Sequence, residues 1–164
     1  MSRRALEDQP WDAGALPQPL IPLAETFEGF LDLHWLELTD TSAHVQFEVR
    51  QNLKQPLGLL HGGIYCAVAE TIASVATVRA VWRDGFTGSG LSNSASFLRP
   101  VTGGRVDVRG FLRGQDEREW VWSHEFRDAG DRLCALVDVT IAVRPLSGAP
   151  STTAATHPPA TPPA

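Results

Sequence analysis

The stretch "GLLHGGIYCAVAETIAS" (58–74) opens the one segment regular enough for an extended helix, from Gly63 to about Trp82. Ile64, Val68, Ile72 and Val75 recur there at helical spacing and form one apolar stripe. A second stripe, Gly63, Ala67, Glu70, Ser74 and Thr77, is small and carries a single acid. Most of what surrounds this helix reads as strand. Residues 34–50 form two strands turned at Asp40-Thr41, with Val45, Phe47 and Val49 alternating against His44, Gln46 and Glu48. Four more strands are expected at 87–98, 105–113, 119–127 and 132–143. The turn signals "TGG", "GQDE" and "DAGD" separate them and are short enough for an antiparallel meander. "LAETFEGFLDL" (23–33) adds a short helix. A sheet of this size has an apolar face to cover, and one helix of about 30 Å can cover it. The expected class is α+β: an antiparallel sheet wrapped around one long central helix.

A chain of 164 residues suffices for one domain with its own core. Residues 1–22 are Pro-rich and aperiodic, an irregular segment expected on the surface; the domain proper spans 23–145. The tail 146–164, rich in Pro, Ala and Thr, has one large apolar residue, Leu146, and is expected to be disordered. Net charge is −5 and no basic stripe is visible, which argues against a nucleic-acid partner. No apolar run approaches the roughly 18–20 residues of a membrane span, and the N-terminus lacks the apolar core of a signal peptide. The expectation is a cytoplasmic protein with no membrane partner. Cys66 and Cys134 sit in no CxxC or Cys/His cluster, so neither a metal site nor a disulfide scaffold is indicated. His124 and the Trp120/Trp122 pair read as strand packing.

The helix also carries chemistry. At its start the amides of Gly62 and Gly63 lack helical acceptors and stand at the positive end of the dipole. Glycine lets a ligand approach that backbone closely, as a developing oxyanion requires. Glu70 and Ser74, four residues apart, are side-chain neighbours.

These residues, together with "SNSASFLRPV" and "DRLCALVDVTIAVRP", resemble the hotdog-fold acyl-CoA thioesterases over about residues 25–145. The branch is the one with its acid on the central helix, and within it the chain is similar to the 4-hydroxybenzoyl-CoA and phenylacetate-degradation thioesterases. The resemblance implies the hotdog fold and hydrolysis of an acyl-CoA thioester, with an aromatic acyl group such as 4-hydroxybenzoyl. It implies roles for six residues. Glu70 would be nucleophile or general base, and the Gly62 amide would polarise the carbonyl. His61 and Gln55 would position the thioester. Ser74 stands where those enzymes carry Thr, and its hydroxyl would orient water or hold product. Arg99 would meet the CoA phosphates. No bound cofactor is implied, coenzyme A being part of the substrate. The sequence departs from the family around Glu117-Arg118 and beyond Arg144, both on the CoA side. A non-catalytic acyl-CoA or small-ligand binding protein on the same fold is the alternative; such a binder has no need of Glu70.

Spacing adds one constraint. Gly62 precedes Glu70 by eight residues, about 12 Å along a helix axis. An attacking carboxylate and an oxyanion donor on one carbonyl span only some 6–7 Å. The two groups of one chain therefore cannot serve the same carbonyl, and a homodimer with shared active sites is expected. The resemblance implies further pairing into a homotetramer.

Overall fold

The computed structural model describes residues 16–146. Most of the expected N-terminal segment and nearly all of the expected tail thus lie outside the described residues. Within residues 16–22, Leu20 and Ile21 project into solvent, but Leu16 is buried and joins the core. The expectation that this segment is wholly superficial is corrected at that residue.

The short helix expected at 23–33 is split. A 3-10 turn (Leu23–Glu25) is followed by α1 (Phe27–Leu31), whose first turn is capped by Thr26 Oγ1 accepting from Gly29 N–H at 3.3 Å. Asp32, at φ 56°, ends α1 in a left-handed conformation. β1 (His34–Leu38) and β2 (Ser42–Glu48) form the expected hairpin. Next come α2 (Gly62–Val81), β3 (Phe86–Phe97), β4 (Arg105–Gln115), β5 (Glu119–Asp128) and β6 (Leu133–Pro145). Every expected strand is met within a few residues.

The sheet has six antiparallel strands in the order β1-β2-β4-β5-β6-β3. This corrects the expected four-strand meander. β4, β5 and β6 do run as one, but β3 lies beyond β6, at the edge of the sheet. The "TGG" signal does not close a β3–β4 hairpin, because other segments claim the backbone on either side of it. Leu98 N–H and Arg99 N–H donate to Cys134 O, Leu60 N–H to Val101 O, and Val49 N–H to Gly104 O. The chain is thereby carried across the start of α2 before β4 begins beside β2.

α2 fills the concave side of the sheet. Val68, Ala69, Ile72, Ala73 and Ala76 are fully buried, against a sheet face built from Val45, Val106, Val108, Trp122, Phe126, Val137 and Ile141. The two-stripe reading needs adjustment. Ile64 is only partly buried, whereas Thr77, placed on the open stripe, is fully buried and accepts a hydrogen bond from Trp122 Nε1 at 3.0 Å. The helix is apolar nearly all round, as a helix wrapped by a sheet must be. The stretch Gly62–Asp84, at mean hydropathy 1.4, is long and apolar enough to cross a bilayer by length and composition. This helix corrects the expectation that no apolar run approaches span length. Burial within the fold accounts for that apolarity.

Candidate functional site

The site begins in the loop before α2. Leu53 and Leu60, both buried, anchor its two ends, and Lys54 and Leu60 form a single bridge. Between them Gln55-Pro56-Leu57-Gly58 makes a tight turn, with Gly58 N–H donating to Gln55 O at 2.9 Å and Gln55 N–H to Leu59 O at 2.8 Å. Gly58 stands at φ 82°, with open space around its α-carbon; backbone conformation, not crowding, requires glycine there. His61 then caps the helix: its Nδ1 accepts from Gly63 N–H at 2.9 Å. An accepting Nδ1 leaves the ring proton on Nε2, which points a donor outward.

This cap changes the expected oxyanion site. Gly63 N–H is already satisfied by His61. Gly62 N–H has no acceptor among the described residues and is the free amide at the positive end of α2. A cleft of about 340 Å³ opens beside it. Gln55, Gly62 and Arg99 line the cleft together with the apolar Leu59, Leu60, Tyr65 and Phe97. Three of the six expected site residues are thus brought together in one cavity.

Glu70 and Ser74 lie elsewhere on the helix, two and three turns along. Both are half-buried, and Ser74 Oγ–H donates to Glu70 Oε1 at 2.7 Å. Across from them is Gly90 of β3, where an added β-carbon would stand 3.1 Å from Glu70 Oε1. Neither residue lines the cleft, and neither does His61. The separation deduced from spacing is therefore visible in the fold: the free amide opens onto one cavity, and the acid faces β3.

Arg99 is exposed. Its Nη1 donates to Leu133 O at 2.5 Å, and no carboxylate pairs with it among the described residues. Most of its donors remain available to an anion at the cleft. Also among the described residues, no group of three or more His, Cys, Asp and Glu side chains is placed to hold a metal ion.

Two further residues of the cleft, Tyr65 and Phe97, lie outside the sequence expectations. Tyr65 is buried, with its ring edge-on to Phe126 at 5.1 Å and tilted to Phe97 at 5.6 Å. Burial, with a smaller contribution from Cys134, pushes its hydroxyl up to about 12, so it stays a neutral donor. Its spacing of three from Gly62 was the available signal, since that puts both on one helical face. Phe97 is 57% exposed and lies against Gly62: a β-carbon there would meet its Cζ at 3.1 Å. No local pattern foretells that contact, because the two residues lie on different elements.

Comparison with known proteins gives the same reading. Residues 57–135 match the family described as Thioesterase superfamily. The chain is 34% identical over 117 residues to the 1,4-dihydroxy-2-naphthoyl-CoA hydrolase of Escherichia coli, covering 70% of this chain and 84% of that one. Among solved structures, a thioesterase from Haemophilus influenzae superposes with a TM-score of 0.70 at 29% identity, covering 76% of this chain and 86% of its own. AziG of S. sahachiroi does so with a TM-score of 0.69 at 35% identity, covering 78% and 100%. The expected family and fold are met, and the non-catalytic alternative gives way to an enzyme: the chain belongs to the thioesterase superfamily and is a hotdog-fold thioesterase.

Proposed function

We propose that the protein hydrolyses the thioester of an aromatic acyl-CoA, releasing the free acid and coenzyme A. The observation that carries this reading is the pairing of a half-buried Glu70–Ser74 couple with a free Gly62 amide on the same helix. In this mechanism Gly62 N–H binds the carbonyl oxygen as it gains negative charge. Glu70 either attacks the carbonyl carbon, giving an anhydride that water then opens, or takes a proton from water as that water attacks. In both routes the carbon–sulfur bond breaks, the sulfur leaves as thiolate and collects a proton, and water supplies the second carboxyl oxygen. Ser74 holds the Glu70 carboxylate in one orientation. His61 Nε2–H and the Gln55 amide are donors near the thioester, and Arg99 meets a CoA phosphate. No bound cofactor takes part.

The aromatic acyl group is favoured by the cleft walls, where Tyr65 and Phe97 present ring surfaces beside Leu59 and Leu60. Its volume is at the small end for ligand pockets. The naming of two relatives, from Escherichia coli and Listeria monocytogenes, as 1,4-dihydroxy-2-naphthoyl-CoA hydrolases points the same way. Two subunits build each site, and the dimer operates in the cytoplasm, alone or paired into a tetramer.

The test is turnover by Glu70→Gln, an isosteric change that can neither attack nor accept a proton. Its kcat is expected to fall by at least ~10³ with KM held within several-fold. A variant keeping a tenth of wild-type turnover would refute the role of Glu70. A panel of 4-hydroxybenzoyl, 1,4-dihydroxy-2-naphthoyl, phenylacetyl and decanoyl CoA esters tests the acyl class. Higher kcat/KM on decanoyl-CoA than on every aromatic ester overturns the aromatic assignment.

A further inference from the structure

β3 runs the length of α2 and meets it at four successive levels. Gly88 faces Thr77 and Val78, Gly90 faces Glu70, Asn93 reaches Cys66, and Phe97 reaches Gly62 and Tyr65. The numbering along β3 changes parity on the way. A strand alternates sides at every residue, so an unbroken strand with Gly88 and Gly90 turned to the helix would next turn Ser92, Ser94 and Ser96. Asn93, Ala95 and Phe97 are turned there instead. The switch happens at a bulge. Gly90 pairs with Ile141 and Ser92 with Thr140, leaving Leu91 as one extra residue. Leu91 is the one large side chain between Thr87 and Phe97, and it is 55% exposed.

We infer that the Leu91 bulge is a phasing device for catalysis and that Asn93 is a positioning residue for Glu70; this rests on Glu70 being the catalytic acid. At the acid end of the site this strand sets glycine beneath the carboxylate, where a β-carbon would crowd Oε1. At the amide end it sets Phe97 against Gly62. An uninterrupted period of two cannot deliver both from this sequence, and one inserted residue does. Asn93 then fastens the rephased strand to the helix, its Nδ2 donating to Cys66 O at 2.9 Å. Cys66 lies one turn before Glu70, so its carbonyl is the one that the Glu70 amide addresses in a regular helix. A shift of strand against helix at this level moves the carboxylate relative to the carbonyl it must reach. The residue count at the bulge matters, and the leucine side chain does not.

The experiment compares Leu91→Ser, deletion of Leu91, and Asn93→Ala by steady-state kinetics on an aromatic CoA ester, with melting temperature and light-scattering mass recorded for each. Leu91→Ser keeps kcat within about twofold. Asn93→Ala lowers kcat roughly tenfold or more with KM nearly unchanged, the mark of misplacement and not of weaker binding. The deletion, where it folds with the wild-type mass, loses at least as much as Asn93→Ala; where it does not, Asn93→Ala decides. Glu70→Gln is assayed alone and combined with Asn93→Ala at high enzyme concentration. If Asn93 acts through the acid, Asn93→Ala costs almost nothing more in the Glu70→Gln background. An unchanged kcat in Asn93→Ala, or an equal loss in both backgrounds, overturns the inference while Glu70→Gln remains inactive. An active Glu70→Gln would instead remove the catalytic reading and this inference with it.

Discussion

A carboxylate midway along a buried helix needs space that most neighbouring side chains would fill, and here Gly90 leaves it. Ser74 supplies the one donor to Glu70 among the described residues, where no ion pair locks the acid in place. Arg99 is the complementary case, a cation kept in place by a backbone carbonyl and left without a carboxylate among the described residues. If it meets CoA phosphate, Arg99→Ala raises KM for CoA esters by roughly tenfold, the scale of one charge-assisted contact. It leaves hydrolysis of the matching N-acetylcysteamine thioester unchanged. Paired assays on the two substrates check this, and equal losses on both would make Arg99 structural. Residue-scale chemistry was legible in the sequence where it is local. The i, i+4 spacing of Glu70 and Ser74 and the double glycine at the helix start could be read directly. The capture of Gly63 N–H by His61 was not, because a histidine rarely signals a cap by type. Tyr65 was hidden in a helix of apolar residues, and Phe97 meets Gly62 only once β3 has taken its place in the sheet.

β5 shows what an element gives up to wrap a helix. Its inward positions, Trp122, His124 and Phe126, are all fully buried beneath α2. Trp122 satisfies its indole N–H on Thr77, but His124 is only half satisfied. Its Nδ1 donates to Val137 O at 3.2 Å while Nε2, buried, has no partner among the described residues. The ring sits over Gly110, where a β-carbon would stand 2.9 Å from its Cδ2. Burial lowers His124 to about 4 from its ordinary 6.5, against smaller opposing effects of the Val137 carbonyl and Asp138. The folded state therefore binds this proton less readily than the unfolded chain. Stability from this group is complete above about 6.5 and is lost as pH falls toward 4, by about 3 kcal/mol. Asp107 and Asp128 act in a lower window. Burial raises Asp107, but hydrogen bonds from Gln46, His44 and Arg105 outweigh it; at Asp128 the bond from Arg132 leads. Both carboxylates end below their ordinary 3.8 and lose their contribution under it. His124→Leu is expected to flatten the fall in melting temperature between pH 6.5 and 4.5. Calorimetric scans at the two pH values check it, and an undiminished slope would assign the acid sensitivity elsewhere. The strands themselves were legible because alternation and turn residues are local signals. Their order was not. The short "TGG" turn looks like a hairpin, and only the bonds of residues 98–104 to Cys134, Leu60 and Val49 show that it is a crossing.

The whole molecule has one sheet edge without the usual guards. β3 ends the sheet with twelve residues that include no charge and no proline, the usual guards of a free strand edge. The opposite edge, β1, is five residues long and carries Glu37. Pairing of β3 with the β3 of a second copy about a twofold axis would be antiparallel. Because α2 runs back along β3, it would also set the two helices antiparallel and side by side. That arrangement answers the distance problem. The free amide of Gly62 and the Glu70 carboxylate of one chain stand about 12 Å apart along the axis, less the ~3–4 Å by which the glutamate leans back. A neighbouring antiparallel helix would bring its own Glu70 toward this chain's Gly62, and the axis would make two such sites. Subunit mixing tests it. Glu70→Gln removes the acid, and Gly62→Pro removes the amide while keeping a backbone angle suited to the first turn. Each variant alone is nearly inactive. In a mixed dimer one site has lost both groups and the other retains both, so random exchange of equal amounts should restore about a quarter of wild-type activity. Sites contained within single chains would restore nothing. Exchange is followed by mass spectrometry and folding by circular dichroism, since the proline ring must displace Phe97 from Gly62. Complete exchange between folded variants with no recovered turnover would place both groups' work within one subunit and rule out the shared site.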